Sequence, residues 1–288
     1  MRGGGRIRDR GPVPARFRRI CQERLPAVPW QDPALARLPG LKPLVPDDWP
    51  WEDEVFARQM AFRDWLRRHE AGRVFAAGGA PAQAAAEELK ALVLGRLQGR
   101  PGWCIAADRA TRPDGETVPL KTDHPLAVAG RLVQSDLCLL LPEGDGLALA
   151  AAFLAFPAAW RLDEKLGRPL AAIHGPVAAY DADLARRVDR MFGRLPPGRP
   201  VWRMNRLAWP VPCLFHPDPL PGGKGGGPWL RAERQLLLRL PRTGALLFAI
   251  HTTVMEARRL DGRARRGIPP DLAAALGLVD PQEGTGPA

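Results

Sequence analysis

The sequence lacks the motifs of the common metal and nucleotide sites. Its four cysteines stand far apart with no CxxC pair, which excludes zinc-finger and thioredoxin-like sites. No GxGxxG follows a predicted strand, and no GxSxG occurs. The Gly222–Gly227 run is not a P-loop, because no Ser or Thr follows Lys224. His69 and Glu70 do not begin an HExxH site, because position 73 is arginine. The zinc-finger, thioredoxin, HExxH and P-loop signatures are therefore excluded, and a dinucleotide-binding fold has no support.

Long hydrophobic runs are also missing. The longest apolar stretch, about Leu147–Trp160, is rich in alanine and falls short of the roughly 20 residues that span a bilayer. The arginine-rich start is not followed by the apolar core of a signal peptide. With no disulfide pattern, these features predict a reduced, cytoplasmic protein with no membrane partner.

The net charge of +11 is concentrated near the two ends. Residues 1–20 hold seven arginines and one aspartate, and residues 256–267 hold five arginines and two acids. No basic helix or aromatic-interleaved stripe lies between them, so we expect no nucleic-acid partner. Proline and glycine divide the chain into a flexible basic leader (1–40), a folded domain (41–255) and a basic tail with a short helix (256–288).

Hydrophobic periodicity predicts an α+β fold, with an antiparallel sheet of about five or six strands and helices packed on one side. The link Pro142–Gly146 has strong hairpin chemistry. Predicted helices cover residues 52–70, 82–98, 181–193 and Asp271–Leu276. Predicted strands are Trp103–Ala107, Leu137–Leu141, Ala148–Phe156, Val201–Trp209, Leu230–Leu240 and Ala245–Val254.

Strand alternation places Arg234 among leucines on the apolar side of the strand Leu230–Leu240. A buried guanidinium must be paired. Two interpretations remain open: an internal ion pair with a core carboxylate, or a pocket-lining cation that meets an anionic ligand group. Arg231, on the opposite face, is expected to meet solvent or a surface carboxylate.

His174 is the most distinctive of the five histidines. It follows a short apolar run, and Gly175 and Pro176 then break regular structure, so the imidazole stands on a stiff turn. Such a histidine is either a structural hydrogen-bonding group or a haem ligand. His251, within an apolar strand, is the second candidate.

Several short blocks, in this order, resemble the alpha subunit of haem-dependent oxidative N-demethylase over about residues 40–255. They are Gly40–Leu44, Phe156–Trp160, Lys165–Gly167, Ile173–Val177, Arg203–Asn205, Arg231–Gln235 and Leu240–Ala245. The resemblance implies a PAS-like, haem b-binding sheet with His174 as the iron ligand. Arg234 and Lys165 are then expected to bind the haem propionates, because cationic side chains pair well with carboxylates.

The resemblance also implies a monooxygenase that demethylates a small secondary amine such as dimethylamine with O2. Electrons from NADPH would arrive through FMN and a 2Fe-2S centre on a partner flavin/iron-sulfur reductase subunit. The concentration of arginine in the stretch Arg258–Arg266 makes that stretch the expected landing site for an acidic partner. The sequence departs from the family at His251–Thr253 and at Arg206, where the family has other residues. The alternatives are a haem-based sensor or carrier without turnover, and a non-haem structural protein on the same scaffold.

Overall fold

The computed structural model describes residues 13–36, 40–144, 146–170, 191–220 and 225–278. Ten strands are present in that part of the chain: β1 (Lys42–Pro43), β2 (Phe75–Ala77), β3 (Cys104–Ile105), β4 (Arg109–Thr111), β5 (Thr117–Pro119), β6 (Asp136–Glu143), β7 (Gly146–Phe153), β8 (Val201–Trp209), β9 (Trp229–Arg239) and β10 (Leu246–Glu256).

The described helices are α1 (Pro33–Ala36), α2 (Phe56–His69), α3 (Ala71–Val74), α4 (Ala80–Leu97), α5 (Pro125–Leu132), α6 (Gly262–Arg265) and α7 (Pro270–Ala275). α2 and α4 form where apolar side chains recur at helical spacing, and both bury that stripe. α5 was not predicted. It begins after His124, whose Nδ1 accepts a hydrogen bond from Leu126 N–H at 3.2 Å, and it has proline in its first turn.

A seven-stranded antiparallel sheet dominates the fold, with the order β1-β8-β9-β10-β6-β7-β2. β6 and β7 form the hairpin that the sequence predicts. β8, β9 and β10 follow as a meander, and β10 pairs with β6 at the centre. The predicted strand Trp103–Ala107 contributes only β3, which belongs to a separate sheet of order β3-β4-β5. The fold is thus mixed helix and sheet, as predicted, with more strands than predicted.

The two faces of the large sheet have different covers. The helix face carries Leu236, Leu238 and Leu247, which pack in one cluster with apolar residues of α4 and α5. The crossover face carries Leu237 and Phe248, which alternate with them along the same strands. The name refers to residues 154–200, which connect β7 to β8; Leu162, Leu170 and Leu195 from this crossover pack against apolar residues of that face.

Residues 13–36, which belong to the predicted leader, pack on the body of the protein. Phe17 and Ile20 are buried in the main core, and the Gln22 N–H donates to Val254 O at 3.0 Å. β10 pairs with β6 as far as Ile250, and beyond that point Gln22 forms hydrogen bonds with β10 at Val254. The arginine-rich composition concealed the core residues, because they are few and widely spaced.

The C-terminal stretch also packs on the body. Leu260, Ala264 and Leu272 join Leu230 and Met255 in a second apolar cluster. The terminal helix predicted at Asp271–Leu276 is present as α7. Residues 181–190 of the predicted helix 181–193 lie outside the described residues. Among the helices that the structure describes, none is both long and apolar enough to cross a bilayer.

Candidate functional site

A layer of polar side chains crosses the middle of the crossover face. Cross-strand register aligns Asn205, Glu233 and Thr252 in one row, and Arg203 with Gln235 in the next. Glu233, Gln235 and Thr252 are buried, while Arg203 and Asn205 are half-buried. We call these five residues the polar layer. Apolar residues of the same face flank the polar layer, so the sheet carries a narrow polar band between apolar regions.

The polar layer holds hydrogen-bonding capacity that the described residues leave unused. Thr252 Oγ1 and Arg203 Nε are buried without a hydrogen-bond partner in the described part of the chain. Burial lowers the pKa of the Arg203 guanidinium, and the charge of Glu233 only partly offsets that effect. A buried polar atom without a hydrogen bond lowers the free energy of unfolding, so such atoms indicate places where a ligand can supply the missing partner.

Glu233 is held from both sides along its own strand. Arg231 Nε donates to Glu233 Oε1 at 3.2 Å, and Gln235 Nε2 donates to Glu233 Oε2 at 3.2 Å. The three residues alternate on β9 and so share one face. The polar residues of the Arg231–Gln235 block therefore form a fixed hydrogen-bonded ladder.

The expectation that Arg231 meets solvent or a surface carboxylate is wrong. Its side chain is fully buried, and it donates to Phe156 O at 2.5 Å and to Leu214 O at 3.3 Å. Phe156 also donates its backbone N–H to Asp136 Oδ2 at 2.9 Å. Arg231 and Asp136 together pin the start of the crossover. Alternation alone missed this arrangement because both faces of β9 are covered.

His174, the predicted iron ligand, lies outside the described residues. Its place in the chain is nevertheless bounded, because Leu170 before it and Leu195 after it both pack on the crossover face. Lys165 is half-buried on the same crossover, in the turn where Lys165 N–H donates to Leu162 O at 3.1 Å. The described residues on either side of the segment that contains His174 thus lie on the side of the sheet that carries the polar layer.

Arg234 lies on the other side of the sheet. Its guanidinium is sandwiched between the rings of Trp51 and Trp202, at 4.1 and 4.6 Å from the ring centres. Burial lowers the Arg234 pKa to about 10, and Asp48 opposes that shift. Register places Arg234 opposite His251, on the helix face. The structure therefore does not bring Arg234 together with Lys165.

His251 belongs to a buried network beside Arg234. Its Nε2 contacts Asp53 Oδ2 at 3.0 Å, and Gln22 and Gln134 donate to the same carboxylate at 2.9 and 2.6 Å. Burial acts to raise the pKa of Asp53, but the bond and charge of His251 and the bonds from the two glutamines hold it below its ordinary value. These contacts engage Nε2 of His251, whereas its Nδ1 is buried without a hydrogen-bond partner in the described part of the chain.

Replacing Asp53 with Asn is expected to lower the free energy of unfolding by about 2 kcal/mol at neutral pH, because hydrogen bonds to a carboxylate are stronger than those to an amide. The folded pKa of Asp53 lies below its unfolded value of 3.8. Its charge-linked stability is therefore fully present above that value and disappears as pH falls through the folded pKa. Urea unfolding of both proteins at several pH values between neutral and acid tests this.

The expected result is a stability gap that closes in acid. The exposed Asp108→Asn variant is the control, with a change below about 0.5 kcal/mol. A gap that stays constant with pH would show that Asp53 acts through its shape and not through its charge.

The sequence did signal part of the polar layer. Arg203 and Asn205 stand two apart on a predicted strand, as do Glu233 and Gln235, and period-two spacing puts each pair on one face. The missing information was which strands lie side by side. Among the described residues, no group of three or more His, Cys, Asp or Glu side chains could hold a metal ion by itself.

One comparison with known proteins bears on this site. A family model described as haem-dependent oxidative N-demethylase, alpha subunit-like, matches residues 40–282. The match contains every strand of both sheets and extends through α7, beyond the limit of about 255 that the sequence blocks indicated.

Proposed function

Since the chain belongs to the haem-dependent oxidative N-demethylase, alpha subunit-like family, we propose that it is a haem-binding oxygenase component whose cofactor lies on the crossover face. The observation that carries this proposal is the polar layer, with buried polar atoms left unpartnered among the described residues, on the face where the described parts of the crossover pack. His174 belongs to that same crossover in the sequence. An alpha-subunit-like chain implies other subunits, and these would supply the electrons.

The arrangement of the strands supports a PAS-like reading of the sheet. Its central five strands follow the order β7-β6-β10-β9-β8: a hairpin, a long crossover and a three-stranded meander that returns to pair with the first strand of the hairpin. We place the haem pocket between the sheet and the crossover, because the described parts of this connection pack on one face of the sheet. The polar layer lies on that side, whereas α4 and α5 cover the other.

The residues present fit haem b. An iron ligand is available in His174, because neutral imidazole is a common axial ligand. Arg203 offers a half-buried guanidinium whose Nε lacks a partner in the described chain, which suits a propionate. We assign that role to Arg203 in place of Arg234, which stands on the helix face. Lys165, half-buried on the crossover, is proposed as a second cation at the rim.

Bound haem would supply the iron centre at which O2 is activated. The chain's own contribution is to exclude water with the apolar residues around the polar layer and to orient a small polar substrate against it. A secondary amine such as dimethylamine is cationic at neutral pH, and Glu233 supplies a fixed carboxylate on that face. NADPH, FMN and a 2Fe-2S centre are expected on a flavin/iron-sulfur reductase subunit.

The test is the visible spectrum of haem-reconstituted variants. His174→Ala is expected to abolish or greatly weaken the Soret band while far-ultraviolet circular dichroism stays unchanged, because the imidazole that would hold the haem through its iron is removed. His251→Ala is the matched control. It should keep the Soret band, because His251 is engaged with Asp53 on the helix face.

A normal Soret band in His174→Ala, with loss in His251→Ala, would overturn the ligand assignment and move the pocket to the helix face. A purified chain that binds no haem would leave only a structural protein on this scaffold. NADPH consumption with dimethylamine and a reductase, measured next, separates an oxygenase from a haem sensor or carrier.

A further inference from the structure

A basic face forms where the two ends of the described chain pack together. Trp30 Nε1 donates to Ala264 O at 3.0 Å, and Gln31 donates to Arg266 O at 2.7 Å. Arg19 and Arg258 both pair with Glu256, which lies between them. The segments 13–36 and 256–268 therefore make one surface. It carries nine exposed arginines: Arg16, Arg18, Arg19, Arg24, Arg258, Arg259, Arg263, Arg265 and Arg266.

The charge of this basic face is largely uncompensated. Its acids are Glu23, Asp32, Glu256 and Asp261, and Asp32 is already paired with Lys42. The side chains of Arg259, Arg263 and Arg266 make no hydrogen bond or ion pair with any described residue. Clustered like charges destabilise a compact chain by mutual repulsion, so the arrangement is better explained by a partner than by the stability of the chain itself.

The position of the basic face relates it to the proposed pocket. Arg19 lies over the ring of Trp229, at 4.9 Å from its centre, where β9 begins. Glu233 of the polar layer follows four residues later, about 13 Å along an extended strand. Between Trp229 and Glu233 on β9, Arg231 lies over the ring of Trp209, with the guanidinium 5.4 Å from the ring centre. A packed, short path thus joins the surface to the polar layer.

We infer that the basic face is the docking surface for an acidic protein that delivers electrons to this chain. The inference rests on the proposed function and adds the place and the charge of the partner. A protein fits better than a nucleic acid, because the large aromatic side chains of these segments are buried or half-buried and offer no stacking platform. Acids interspersed with the arginines also suit a mixed-charge protein surface better than a phosphate backbone.

The experiment is stopped-flow reduction of the haem-loaded full chain by NADPH and an acidic flavin/iron-sulfur reductase, without oxygen. The variant Arg259→Glu/Arg263→Glu/Arg266→Glu removes charge from the basic face without breaking a described side-chain bond. The matched control, Arg68→Glu/Lys121→Glu/Arg199→Glu, makes the same change in net charge at exposed positions on other parts of the chain. Reduction by dithionite, which needs no docking, is measured in parallel.

We expect the basic-face variant to be reduced about tenfold more slowly than the wild type at low salt, and the control less than about twofold more slowly. The wild-type rate should fall as salt rises from roughly 50 to 300 mM, because the Debye length then shrinks from about 14 to about 6 Å. Equal slowing of both variants, or a rate indifferent to salt, would overturn the docking surface.

Two further outcomes separate the possible failures. A haem-loaded chain that dithionite reduces normally, with no loss of rate in the basic-face variant, rejects the docking surface and keeps the proposed function. A chain that takes up no haem rejects the proposed function itself. Binding of duplex DNA or of phosphatidylserine vesicles more tightly than the reductase, at equal salt, would assign the basic face to that partner and overturn the inference.

Discussion

Asp136→Asn should cost about 3–5 kcal/mol of the free energy of unfolding, because it leaves the buried Arg63 guanidinium without its paired carboxylate. Both side chains are fully buried, and Arg63 Nη1 meets Asp136 Oδ1 at 2.5 Å. The carboxylate also accepts the backbone N–H groups of Ala155 and Phe156 at 2.8 and 2.9 Å. Burial raises the pKa of Asp136 against the opposing charge of Arg63, so the pair depends on its complete set of partners.

Urea unfolding measures the loss. The decisive comparison is the double variant Arg63→Met/Asp136→Leu, which removes both charges at once. It should be less destabilised than Asp136→Asn, because a matched apolar pair leaves no isolated buried charge. A loss below about 1 kcal/mol in Asp136→Asn would contradict a tightly coupled pair. So would a loss in the double variant equal to the sum of the losses in Arg63→Met and Asp136→Leu measured separately.

The sheet was predictable because its strands are long, apolar and separated by clear turn residues. Val201–Trp209 was predicted with the bounds of β8, and β6, β7, β9 and β10 differ from their predictions by a few residues at their ends. α2 and α4 were predicted for the same reason, since each repeats apolar residues at helical spacing. The local spacing of apolar residues is sufficient to predict a helix or strand when that element buries its apolar residues in a single core.

The polar layer was less predictable because it depends on which strands are neighbours. Alternation separated Arg231 from Arg234 correctly, yet it gave the apolar side to Arg234 and solvent to Arg231. In the structure both faces are covered, and Arg231 is the more deeply buried of the two. A crossover that folds back over the sheet cannot be inferred from the strand it covers.

Short elements escaped the sequence for a related reason. The small sheet β3-β4-β5 is fixed by Arg112, which donates to Asp64 of α2 and to Asp114. The residues near Arg112 in the sequence do not indicate that its partner lies in a helix about fifty residues earlier. The packing of residues 13–36 was missed for the same reason, because Phe17 and Ile20 are buried by contacts with core residues that are distant in the sequence.

Arg231→Met is expected to destabilise the protein by about 3–5 kcal/mol, whereas Arg234→Met, three residues along the same strand, should cost less than about 1 kcal/mol. Arg231 is fully buried and holds Glu233, Phe156 O and Leu214 O, so its removal strands a buried carboxylate and two carbonyls. Arg234 makes ring contacts with Trp51 and Trp202, and its buried Nε has no hydrogen-bond partner in the described chain.

The matched pair makes the test independent of side-chain size and net charge, since both variants replace the same residue type on one strand. Urea unfolding gives the two losses, and the Soret band of the reconstituted proteins gives a second readout. Because Arg231 pins the crossover at Phe156, its loss should weaken haem retention even where the chain stays folded, while Arg234→Met should retain haem. Equal losses of stability in both variants would contradict the structural role given to Arg231. A haem defect confined to Arg234→Met would place the pocket on the helix face.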